Sequence, residues 1–186
     1  MPPSILIAVA EGSEEVEAVS TANALRRGEC EVTFASVSND KTVTCARKTK
    51  LVCDALLEEV AGKKFDFIAL PGGVAGANNL ANSKTLIKML KDQQAREAWY
   101  GGICAAPALV FKPNDLFPIS GTCYPSFQDK IEGALNVEDR VVVDELAKVI
   151  TSQGPATAIP FGIKILEVLS GPEKASAVKS QMLCIE

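Results

Sequence analysis

Two periodicities run along this chain. Residues 4–10 (SILIAVA) are continuously apolar and stop just before Gly12, the pattern of a strand buried on both faces of a parallel sheet. Residues 13–28 turn helical. Ser13 can cap the helix, Glu14, Glu15 and Glu17 put negative charge in its first turn, Arg26 and Arg27 close its last turn, and Gly28 stops it. Residues 31–37 alternate and read as a second strand, and 42–53 as two short strands around a turn. A strand over 64–70 runs into Pro71-Gly72-Gly73, and 83–98 are apolar at helical spacing. Residues 99–104 read as a strand, with a short helix opening at 105–111. Two more strands are predicted at 140–144 and 147–153. Residues 154–171 have a helical pattern that Pro160 interrupts, so a kink or a later start is expected, and 173–182 form a last helix.

Strands alternating with helices predict right-handed crossovers and an α/β fold: a three-layer sandwich around a mostly parallel central sheet. No linker or internal repeat divides the sequence, so residues 1–186 are expected to form one domain. In such sheets ligands bind beyond the carboxyl ends of the strands. Three segments follow predicted strands directly and would meet there: Ala10–Glu15, Leu70–Gly73 and Gly102–Pro107.

Composition narrows the chemistry. The chain has 186 residues, 47% apolar and 23% charged, a net charge of −4, and 5% aromatics. That balance suits a soluble globular protein and gives no basic, aromatic-studded surface for nucleic acid. No apolar run reaches the ~20 residues of a membrane span, and the N-terminus lacks a basic leader, so a reducing, cytoplasmic setting is expected. There is no histidine, and the six cysteines (30, 45, 53, 104, 123, 184) include no C-x-x-C pair. No metal site is therefore expected, and histidine-assisted cysteine chemistry, peptidase chemistry included, is excluded. No phosphate-binding or dinucleotide motif is present, and no cofactor is predicted.

Cys104 is the residue with chemical promise. In Gly102-Ile103-Cys104-Ala105-Ala106 it sits where a strand hands over to a helix with small neighbours, the arrangement of a nucleophile elbow. Free N–H groups at the helix start would favour its thiolate and lower its pKa. The competing reading is a small buried hydrophobe. With no histidine, the available proton partner is a carboxylate, and Glu17 is the best placed by topology. Held protonated, with a raised pKa, it could donate to the thiolate; otherwise it is a solvated first-turn charge. The turn at Gly72-Gly73 offers N–H groups that, with that of Ala105, could hold an oxyanion; it is equally readable as a plain turn.

These stretches together, with 123–131 and 151–171, resemble the ThiJ/PfpI superfamily over nearly the whole chain, most closely the branch of the Parkinson-disease protein deglycase and the bacterial YajL-like proteins. The resemblance implies a flavodoxin-like sandwich and a homodimer. It implies that Cys104 is a reactive, easily oxidised cysteine with Glu17 as its protonated partner. Gly72, Gly73 and Ala105 match positions lining an anion pocket, and Arg47 an arginine placed near that pocket from the neighbouring subunit. Tyr124, Cys123 and Pro155 are expected to line the pocket too. Tyr124 stands where nearer relatives of the human protein have histidine, and Gln153 where relatives often have arginine. Weak turnover and a less positive site are therefore expected. Two functions follow: a stress-response enzyme acting on small reactive carbonyls or glycated proteins (glyoxalase or deglycase type), or a redox sensor and chaperone in which Cys104 is oxidised to sulfinic acid.

Overall fold

In the computed structural model, which describes residues 1–184, the predicted alternation becomes a seven-stranded sheet with helices on both faces. The elements in chain order are β1 (Ser4–Val9), α1 (Glu15–Arg27), β2 (Glu31–Ser36), β3 (Thr42–Thr44), β4 (Lys50–Val52), β5 (Ala55–Leu56) and α2 (Leu57–Val60). They continue as β6 (Phe67–Leu70), α3 (Val74–Asn82), α4 (Lys84–Ala95), β7 (Trp99–Ile103), β8 (Val141–Asp144), β9 (Val149–Ser152), α5 (Ala158–Ser170) and α6 (Pro172–Gln181). Sheet order is β5-β2-β1-β6-β7-β9-β8, with β8 antiparallel to β9 at one edge and every other pairing parallel. The chain winds outward from β1 to β5, then returns to β6 on β1's other side. That reversal makes a switch point beyond the carboxyl ends of β1 and β6, where a crevice opens in folds of this kind.

The central strands are buried because they read as they do. Ile5 to Val9 and Phe67 to Leu70 are essentially inaccessible, as uninterrupted apolar strands between two helical layers must be. On one face α1 packs on α5 and α5 on α6; on the other α3 and α4 pack together. Gly101 and Gly102 of β7 leave room for rings from both layers. A Cβ at Gly101 would lie 2.8 Å from Phe67 and 3.2 Å from Phe161, and one at Gly102 would lie 2.9 Å from Phe111. The two glycines ahead of Cys104 are thus a packing requirement of the sheet. Among the described residues no helix is long and apolar enough to cross a membrane.

Local structure departs from the sequence reading in places. Ser13 does not cap α1: its Oγ accepts the Ala10 N–H at 3.0 Å, and Glu14 is the capping residue without a side-chain cap bond. The polar turn is closed from within, so the hydroxyl is spent before the helix begins. The segment after Gly73 is helical (α3), although Gly76, Asn78 and Asn79 are weak helix formers. Residues 107–111 form a π-helical turn. At Pro160 the later start, one of the two expected outcomes, is the one found: α5 begins at Ala158 without a kink, so the missing N–H falls in the first turn, where it has no helical acceptor.

Helix α3 exists because its small face lies on the β1–α1 loop, where a Cβ at Gly76 would come within 2.5 Å of Ser13 backbone N and Cα. Gly76→Ala should therefore destabilise the protein by about 1–3 kcal/mol despite alanine's better helix propensity. Gly62→Ala, facing open space, should be near neutral. Urea unfolding midpoints of the two variants check the contrast.

Candidate functional site

Three loops meet at the switch point: the β1–α1 loop with the start of α1, the β6–α3 turn and the β7 elbow. Cys104 occupies the elbow with φ at +64°, in the left-handed region that costs a side-chain-bearing residue about 1 kcal/mol or more. The conformation is held from both sides. Cys104 N–H donates to Ser152 O of β9 at 2.9 Å, and Cys104 O accepts the Tyr124 N–H at 2.8 Å. The residue is 9% exposed, and that exposure opens into a cavity of about 660 Å³.

Glu17 projects from the first turn of α1 and is fully buried. Its Oε2 accepts the Gly72 N–H at 2.6 Å, while Oε1 is buried with no hydrogen-bond partner of good geometry. Burial pushes the Glu17 carboxyl up to about 7, against the pull of the Gly72 N–H and of the Cys104 side chain, with Glu14's charge adding to the rise. Burial and the Glu17 charge also push the Cys104 thiol up, to about 12, while the N–H groups of Gly73 and Ala105 pull it down. The thiol is therefore raised, where the helix-start argument predicts it lowered. Desolvation outweighs the two amides, and a second negative charge beside a carboxylate is penalised further. Both shifts express one constraint: the pair tolerates a single negative charge, so it keeps a proton between sulfur and carboxyl at neutral pH.

Gly72 is where the three loops touch. A Cβ there would lie 2.6 Å from Cys104 Cβ and 2.9 Å from both Ala105 N and Glu17 Oε2. Its N–H, expected at the oxyanion, is instead committed to Glu17. The N–H groups of Gly73 and Ala105 are directed at the sulfur, and Gly73 also lines the cavity.

Tyr124 and Pro155 line the cavity, and so does Arg47, which reaches it from the same chain as Cys104 where the resemblance implies the neighbouring subunit. Cys123 does not. It is fully buried in a small cluster with Ala108 and Ile131, its Sγ 3.4 Å from Tyr124 O, and burial pushes its thiol up to about 12. The chain alternates direction there, so Tyr124 faces the cavity and Cys123 faces away. Gln153 lies in a smaller groove that shares Tyr124 and Pro155 with the cavity, its Nε2 donating to Glu138 O.

Two acids of site importance were missed because a first-turn charge looks solvated in sequence. Glu15 is buried, and its carboxylate accepts the N–H groups of Arg47 (3.0 and 3.1 Å) and Thr49 (3.3 Å), tying the β3–β4 hairpin to α1. Burial opposes its charge, yet these donors hold it below the usual carboxylate range. Glu14 is buried and lines the cavity. The clue was available: four acids in seven residues, Glu11 to Glu17, exceed what a helix dipole asks for. Cys45 also lines the cavity and was not anticipated. All six cysteines are free thiols.

A flavodoxin-like sheet ending in a buried acid–thiol pair at the floor of a cavity defines a class: α/β proteins built around an elbow cysteine. Within that class the chain belongs to the DJ-1/PfpI family, whose sequence model matches residues 3–168. It is 46% identical over 174 residues to protein DJ-1 homolog A of Arabidopsis thaliana, covering 93% of this chain but only 44% of that protein's length. It is 35% identical to the glutathione-independent glyoxalase DJR-1.2 of Caenorhabditis elegans, over 94% of this chain and 92% of that one. The solved structure of oxidized DJ-1 from Toxoplasma gondii superposes with a TM-score of 0.93 at 37% identity, covering 97% of this chain and 98% of that one.

The raised carboxyl has a signed consequence. Between the ordinary value of 4.5 and about 7 the folded protein holds a proton that the unfolded chain has released. Glu17 therefore contributes stability below pH 4.5 that is lost as pH rises through about 7, a change of about 3 kcal/mol. Urea unfolding of wild type and Glu17→Gln across pH 4–8 should show the difference between them changing in this direction. A pH-independent difference would show that the folded-state carboxyl is not raised above its unfolded value.

Proposed function

We propose that this protein is a cysteine-dependent stress-response protein acting on small reactive carbonyls and the glycated adducts they form. The supporting observation is the buried pair itself: a thiol and a carboxyl sharing one proton beside two N–H groups, at the floor of a cavity large enough for a small aldehyde or adduct. With methylglyoxal the steps balance without an external oxidant. The Cys104 sulfur, its proton left on Glu17, bonds to the aldehyde carbon. The carbonyl pair moves to oxygen, which the N–H groups of Gly73 and Ala105 stabilise and which takes the proton from Glu17. Glu17, now a carboxylate, accepts the hydrogen of that carbon as a proton and delivers it to the neighbouring carbon, while the hydroxyl proton passes from the first oxygen to the neighbouring one, leaving a lactoyl thioester. Water cleaves the thioester to lactate and restores the thiol. Glu17 carries both proton transfers, and Tyr124 is at best a donor, so turnover is slow.

The working form is proposed to be a homodimer in the cytoplasm. Val16 and Val19 of α1 and Val52 of β4 are exposed, and Val19 borders a groove shared by α1 and β4, an apolar surface suited to a second copy.

A second reading is favoured by the same opening to the cavity, and a relative is described as oxidized in its solved structure. Here Cys104 reduces two peroxides to water and gains two oxygens as sulfinate, with Glu17 donating to the product, and altered partner binding replaces turnover.

Lactate formation from methylglyoxal should be slow but measurable for wild type, absent for Cys104→Ala, and retained by Cys123→Ala, whose sulfur faces away from the cavity. Equal rates for wild type and Cys104→Ala would remove the enzymatic reading. After brief exposure to dilute peroxide, mass spectrometry should find sulfinate on Cys104 ahead of the other five thiols; uniform oxidation would remove the sensor reading.

A further inference from the structure

The sheet has two edges, and they are built differently. At one, β5 is two residues long and turns at once into α2. At the other, β8 offers three consecutive valines, Val141 to Val143, between Arg140 and Asp144. Antiparallel ladders alternate hydrogen-bonded and non-bonded pairs. The Gln153 N–H donates to Arg140 O at 3.1 Å, which sets the alternation here: Arg140 and Val142 turn their main-chain groups toward β9, and Val141 and Val143 turn theirs outward. Among the described residues nothing bonds to those outward N–H and C=O groups. Val141 and Val143 are only half-buried, so the edge is accessible.

An unpaired edge is a template for another strand, and the strand that fits this one is β8 itself. Two copies running antiparallel and centred on Val142 set Val141 opposite Val143 of the second copy, and every outward group gains a partner. The same register sets Arg140 opposite Asp144 of the second copy, twice, on one face of the joined sheet. Shifting it by two residues loses both charge pairs and half of the new hydrogen bonds. Neither residue takes part in an ion pair among the described residues. Arg140 spends one N–H on Ala156 O at 3.0 Å, and Asp144 accepts the N–H groups of Ser120 (3.2 Å) and Ala147 (3.0 Å); both keep further capacity.

We propose that the β8 edge is a self-association surface, at which two copies join their sheets by antiparallel β8–β8 pairing about a twofold axis at Val142. The Ser120 bond to Asp144 brings Ile119 beside that end of the strand, and Leu135 is tied to Ile119 by its N–H on Ile119 O at 2.9 Å. Both side chains are exposed. In the joined sheet this end meets the Arg140 end of the second copy, where a groove of about 320 Å³ lined by Tyr124, Pro125 and Pro155 opens. An exposed apolar pair is thus carried to a partly apolar groove. Asp139 and Glu145 lie where the chain turns off the strand line, and their like charges keep the contact weak. The surface shares no residue with α1 or β4, so it is independent of the carbonyl reading and of the homodimer proposed there.

Sedimentation equilibrium of the intact protein from about 10 μM to 1 mM, the range of weak association, should show wild type reaching at least about twice the mass of Val143→Pro. That proline removes one outward N–H and no bond within the chain. Arg140→Asp and Asp144→Arg each put like charges across the axis and should each weaken the association about tenfold. An equimolar mixture of these two variants should regain the wild-type assembly, because every crossed pair is then opposite in sign, whereas mixing repairs no folding defect. Wild type no heavier than Val143→Pro, charge variants that associate as wild type does, or a mixture no better than its components each overturns the proposal. A monomeric Val143→Pro beside a heavier wild type removes the α1–β4 homodimer alone, and a dimeric Val143→Pro matched by wild type removes the β8 surface alone.

Discussion

The site depends on a limit to negative charge. A carboxyl and a sulfur lie in contact behind a sheet edge, and the surroundings can compensate one anion between them. The donors present are three backbone N–H groups: Gly72 on Glu17, Gly73 and Ala105 on the sulfur. Once the Gly72 N–H is committed to the acid, proton transfer across the pair is the one cheap way to expose a nucleophile. Reactivity here is a question of which atom keeps the proton, and a cysteine raised by burial is still compatible with attack, because the neighbouring acid can take the proton and leave the pair's single charge on sulfur.

That arrangement requires three loops to agree in position to within a methyl group, and the fold supplies the agreement. The β1–α1 loop, the β6–α3 turn and the β7 elbow all leave the sheet at the same edge, and adjacent parallel strands fix their spacing. Glycines at 72, 73 and 76 let backbone meet backbone where a side chain would hold the loops apart. Glu15 then ties the β3–β4 hairpin, with Arg47 and Cys45, over the opening. Positional control thus comes from main-chain contacts and buried carboxylates, and the surface ion pairs add little.

The elements that carry the site were readable in the sequence because each is bracketed by punctuation: an apolar run into Glu11-Gly12, another into Pro71-Gly72-Gly73, and Gly101-Gly102 ahead of Cys104. What escaped was anything decided by burial. Helix α3 has poor propensity and forms because Gly76 lies on the Ser13 backbone. Glu14 and Glu15 look like dipole charges in a linear reading and are buried once the hairpin folds over them. Cys123 adjoins the pocket in sequence, but the chain direction at Tyr124 turns its sulfur away. The thiol's shift had the wrong sign because helix-start N–H groups can be counted from sequence while desolvation cannot. The Gly72 N–H was assigned to a ligand because sequence does not reveal that Glu17 reaches it.

The left-handed backbone at Cys104 has an evolutionary side. Two hydrogen bonds, to Ser152 and from Tyr124, force that torsion on whatever residue stands there. Glycine would adopt it without penalty. The strain relieved by glycine at this single codon offsets part of what the buried side chain contributes to packing, so the backbone here gives the fold little reason of its own to keep a thiol at position 104.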